Sequence, residues 1–141
     1  MKLKLEQLIA SADALERLAA LYLTGALNFR NAHTLEDARK QIQHFNAARL
    51  LAFQTYGTQT GSDTWTILGA EPTRLQQFNE EIASLMQEEV EIYGAHYELR
   101  IDLFDASRLS GADMLALRWL VTFKEDEPQA APIEEAKAQG A

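Results

Sequence analysis

The segment QEEVEIYGAHYELRIDLF, residues 87–104, constrains the fold more than any other stretch, because Tyr97, Leu99, Ile101 and Leu103 alternate strictly with Glu98, Arg100 and Asp102. Successive side chains of a strand point to opposite faces, so this pattern requires a strand with one buried face. If Gly94-Ala95 forms a two-residue turn, Ile92 lies opposite Tyr97 and Val90 opposite Leu99, which places all four on one face. Glu91 would then oppose Glu98. The other reading is one bent or bulged strand running through Gly94.

The rest of the chain has mostly helical spacing. From Leu3 to about Leu27, apolar residues recur every three or four positions, ending at Gly25 and NFRNAH. Thr34 followed by Asp37 reads as a near capping box opening a second helix through Phe53. Antiparallel packing on the first helix through the short 28–33 connection is expected. The stretch YGTQTGSDTWTILG, residues 56–69, changes to Thr-Trp-Thr-Ile alternation, which predicts a short strand at 64–68. Pro72 suits the first turn of a third helix with Leu75, Phe78, Ile82, Leu85 and Met86 inward. Ser110 and Asp113 repeat the capping pattern ahead of MLALRWLVTF, a last helix apolar nearly all round.

These elements predict an α+β fold, mostly helical, with about four helices and a small antiparallel sheet of two or three short strands drawn from 64–68, 89–93 and 97–103. A length of 141 residues suits a single globular domain over 1–123, followed by an acidic, disordered tail over 124–141 that has little to bury.

With no cysteine, disulfides, Cys-ligated metal and thiolate nucleophiles are excluded. No export signal is evident at the start, and no run of eighteen apolar residues occurs, so neither secretion nor a membrane span is expected. A net charge of −8, of which the segment from Lys124 onward carries −3, disfavours direct nucleic-acid binding, which needs clustered Lys and Arg.

His33, His44 and His96 have no metal-ligand spacing and read as surface or capping side chains. Glu88, Glu89 and Glu91 read as a solvated edge, since a general acid needs burial to raise its pKa. Ser62, Ser84, Ser107 and Ser110 lack a nucleophile motif, and the glycines form no phosphate loop. No catalytic, cofactor-binding or metal site is expected. The candidate interface anchors are Trp65, Leu117, Trp119 and Leu120, since large aromatic side chains dominate binding hot spots.

The strings KLEQLIASADALERL, HFNAARLLAFQTYG, RLQQFNEEIASLMQEEVEI and LFDASRLSGADMLALRWLV, in this order over most of the chain, resemble small proteins of unknown function encoded by tailed phages and prophages. The chain departs from that pattern in its alanine content and at YGAHYEL. The resemblance implies a virion-associated or assembly-accessory protein working through contacts with itself or another phage protein, in the host cytoplasm or incorporated in a virion. It supplies no catalytic residues. The alternative class is a small acidic inhibitor or regulator that meets a basic host protein.

Overall fold

A computed structural model describes residues 1–67 and 72–125. Strand β1 (Lys2–Lys4) runs directly into helices α1 (Leu5–Ala10) and α2 (Ala12–Ala19), and a loop leads to the long helix α3 (Gly25–Tyr56). Strands β2 (Thr58–Gln59) and β3 (Trp65–Thr66) form a hairpin, followed by α4 (Pro72–Met86), β4 (Glu89–Glu91) and β5 (Tyr97–Arg100). Two short 3-10 turns, α5 (Gly111–Ala116) and β6 (Val121–Lys124) complete the chain as described. The fold is α+β with a helical majority.

The expected first helix is divided, and the expected break at 28–33 is absent. Ser11 separates α1 from α2, its Oγ placed to donate to the carbonyl oxygens of Gln7 at 2.9 Å and Leu8 at 3.1 Å. The next break falls at 20–24, where Asn28 Oδ1 accepts from Leu23 N–H at 3.0 Å and Thr24 Oγ1 accepts from Leu27 N–H at 3.3 Å. Thr24, extended at φ −90° and ψ 159°, is therefore the N-cap of α3. Gly25 begins that helix instead of ending the previous one. Thr34, read above as a cap, lies buried inside α3, and its hydroxyl donates to Arg30 O at 3.0 Å. At 1.5 Å per residue, the 32 residues of α3 span about 48 Å.

The single expected sheet is replaced by three two-stranded ladders, and residues 90–103 form neither the hairpin nor the single bent strand, since β4 and β5 are separate strands with different partners. β4 pairs antiparallel with β1, setting Lys2 across from Glu91, Leu3 from Val90 and Lys4 from Glu89. Opposite charges across a ladder stabilise it where the hairpin would have opposed Glu91 to Glu98. β5 instead pairs parallel with β6, Tyr97 with Val121 and Leu99 with Phe123. The expected last helix thus stops at Ala116, and Val121-Thr122-Phe123 follows its β-branched and aromatic composition into a strand. Ile101–Leu103, expected as strand, is a 3-10 turn. Val90, Ile92, Tyr97 and Leu99 do all face the core, so the alternation reported the buried face although the strand partner was different.

β3 is shorter than the expected 64–68, and position 68 lies outside the described residues. β6 extends to Lys124, one residue beyond the expected domain boundary, and most of the expected tail, from 126 on, also lies outside them.

One core unites these pieces. Leu8, Leu15 and Leu18 from α1 and α2 meet Leu117, Leu120 and Val121, all at most 1 % exposed. Each such side chain contributes about 1.5–3 kcal/mol through removal from water. Polar ties fix the layers around it: Arg39 Nη2 donates to Glu16 Oε1 at 2.6 Å between α3 and α2, and Arg17 Nη2 to Asp113 Oδ1 at 2.7 Å between α2 and α5.

Candidate interaction surface

The second half of α3 and the start of α4 extend from this core as a two-helix arm closed by the β2–β3 hairpin. Buried apolar residues of α3 in the main cluster end at Phe45. Beyond it, Ala52 is buried, Phe53 packs on Phe78 of α4 with ring centroids 4.5 Å apart, and Tyr56 OH donates to Glu81 Oε1 at 3.1 Å. Arg49 lies over the Phe53 ring at 5.2 Å, a cation–π contact that covers the pair.

No side chain of α4 is fully buried. Its stripe Leu75, Phe78, Ile82, Leu85 and Met86 has the expected inward phase, yet every member keeps part of its surface in water. On α3, Leu51 is 63 % and Leu50 49 % exposed. An amphipathic helix whose stripe stays partly in water, and two exposed leucines on the neighbouring α3, leave apolar surface of the kind that protein contacts bury.

The four anchors expected from sequence divide into two groups. Leu117 is 0 % and Leu120 1 % exposed, so both are core residues and neither offers a surface to a partner. The physical reason is the turn at 117–120 between α5 and β6, which sends Leu117 and Leu120 into the core and leaves Arg118 outside. Trp119 is half-buried, and its Nε1–H donates to Ser11 Oγ at 3.1 Å, a structural bond that holds the indole against the α1–α2 junction. Trp65 is half-buried on β3 opposite Gln59, at the end of the arm. Trp65 alone of the four adjoins the arm's surface.

Leu103, expected on the buried face of a strand, is instead 59 % exposed because the chain turns at Ile101–Leu103, and Tyr22, Phe29 and Leu115 are exposed apolar side chains that sequence reasoning did not single out as surface. Phe29 stacks on His33 with centroids 5.6 Å apart, and His33 meets Tyr93 edge-on at 4.4 Å. Tyr22, inward on an unbroken first helix, is exposed because the chain leaves the helix after Ala19, and Phe29, expected in the 28–33 connection, lies on the exposed side of α3.

The histidines and the glutamates 88, 89 and 91 are exposed, and no group of three or more metal-ligating side chains converges among the described residues. No helix among them is long and apolar enough to cross a membrane. No protein-family model matches the chain, and no curated protein or solved structure matches it.

Proposed function

We propose that the chain is a phage-encoded structural or assembly-accessory protein that acts through protein–protein contact, with the α3–α4 arm as its contact surface. The single observation that carries this reading is the fifteen-residue α4 without one fully buried side chain, and exposed Leu50 and Leu51 on the partner helix α3 add apolar surface to the arm. The phage origin rests on the resemblance in the order of its helical strings.

The occupant is a second copy of the chain. Two such arms related by a twofold axis supply four helices, and four-helix packing closes the half-covered stripes of both. A self-complementary contact of this kind is driven by apolar burial and is insensitive to salt, whereas an acidic inhibitor gripping a basic target weakens steeply as ionic strength rises.

The test is the solution mass of the full chain at micromolar concentration between about 50 mM and 1 M salt, spanning Debye lengths of about 14 to 3 Å. A dimer at every salt concentration, converted to a monomer of unchanged helicity by Leu51→Glu, supports the proposal. A monomer throughout overturns it.

A further inference from the structure

A second region, remote from the arm's tip, has the chemistry of a ligand site. α3 contributes Arg30, Asn31 and Thr34 to one wall of a cleft of about 360 Å³, and the β4–β5 connection with Tyr93, Gly94 and Tyr97 forms the other. That volume suits a small organic molecule or one terminal residue of a peptide.

Asn31 is 2 % exposed, and its Oδ1 accepts from Tyr97 OH at 3.0 Å. Its Nδ2 is buried and has no acceptor among the described residues. An amide nitrogen left this way costs about 1–3 kcal/mol, a penalty that an incoming acceptor would relieve. At the cleft wall, this nitrogen therefore lacks a hydrogen-bond acceptor.

A second, independent observation indicates the charge of the missing group. Arg30 lines the same cleft, and its exposed guanidinium makes no ion pair among the described residues. Tyr93 and Tyr97 also line the cleft, with the enclosed Leu120 behind them. Gly94 lets the opposite wall approach: at φ +136° its backbone comes so near α3 that an added Cβ would sit 3.1 Å from Thr34 Oγ1. A cation, an unused donor and apolar walls together select an anion with an apolar body.

We propose that this cleft binds a carboxylate attached to a compact apolar or aromatic group, with Asn31 Nδ2–H and the Arg30 guanidinium donating to its oxygens and the group resting against Tyr93 and Tyr97. The same chemistry is offered by a free aromatic or branched-chain acid and by the C-terminal residue of a protein chain.

The test follows the Asn31 side-chain amide resonances of the full chain by NMR during titration with N-acetyl-phenylalanine, its neutral carboxamide, and a hexapeptide ending in Phe with a free carboxylate. The carboxylate shifts those resonances, the carboxamide binds at least about tenfold more weakly, and Arg30→Met, at an exposed side chain that leaves the fold intact, weakens the carboxylate about tenfold. Equal affinity of hexapeptide and N-acetyl-phenylalanine assigns the site to free acids. A hexapeptide about tenfold tighter assigns it to chain termini. Carboxylate and carboxamide binding alike, a preference for phenethylammonium, or no shift of the Asn31 amide at 10 mM carboxylate by order of magnitude overturns the proposal, the last result meaning that water alone serves the buried nitrogen.

Discussion

Arg17 on α2 and Asp113 on α5 meet fork to fork, with Nε donating to Oδ2 at 2.9 Å and Nη2 to Oδ1 at 2.7 Å. The same carboxylate caps α5: Oδ2 accepts from Ser110 N–H at 3.0 Å while Ser110 Oγ accepts from Asp113 N–H at 3.1 Å. One side chain thus starts a helix and fastens it to another, 96 residues away in sequence.

That arrangement has a pH signature. The Arg17 hydrogen bonds, aided by those from Ser110 and opposed by partial burial, hold Asp113 down to about 2 from an ordinary 3.8. A carboxyl whose folded pKa lies below its unfolded value adds stability that is fully present above the unfolded value and lost as pH falls through the folded one. Urea unfolding of the parent should therefore weaken more between about pH 4 and pH 2 than that of Asp113→Asn. Parallel curves across that window would contradict the role given to the pair.

Ser11→Ala tests the α1–α2 junction. The substitution removes the acceptor of the Trp119 indole N–H in a partly buried setting, with an expected loss of about 1–3 kcal/mol and a change in tryptophan emission. An unchanged unfolding midpoint would show that the indole finds another partner.

Leu117 offers a clean separation of core from interface. Leu117→Ala should cost about 2–5 kcal/mol in denaturant unfolding while leaving the native stoichiometry untouched, because the side chain is wholly enclosed. Loss of association without loss of stability would return Leu117 to the surface.

Gly94 and Gly111 form a paired control. Gly94→Ala forces a β-carbon into a positive-φ position against Thr34 and should cost about 1–3 kcal/mol. Gly111 opens α5 with no atom within 4 Å of an added Cβ, so Gly111→Ala should be neutral or stabilise by about 0.4–1 kcal/mol. Thermal melts of the two variants read the difference.

The legible parts of this fold were those decided by local chemistry. The Ser110–Asp113 box, Pro72 at the start of α4, the inward phase of Leu75 through Met86 and the core-facing set Val90, Ile92, Tyr97 and Leu99 all follow from periodicity and capping. Strand pairing did not, because alternation reports which face is buried and says nothing about which strand lies alongside. The opposite charges of KLK and EVE held that information for β1 and β4, but only once Lys2–Lys4 was recognised as a strand and not the first turn of a helix. The α3 start is hidden because Gly25 has the composition of a helix end, while Thr24 just before it is the cap. The buried amide of Asn31 has no sequence signal: its burial depends on β5 reaching α3 through Tyr97, a contact 66 residues long in sequence.

Light scattering on the full chain, beside its Leu51→Glu variant, tests the central claim most directly. The arm-to-arm account predicts twice the 15.8 kDa chain mass at micromolar concentration, independent of salt, and a monomer for the variant with the helical circular dichroism of the parent. A parent chain that is monomeric under the same conditions, or a dimer that survives Leu51→Glu unchanged, would contradict it.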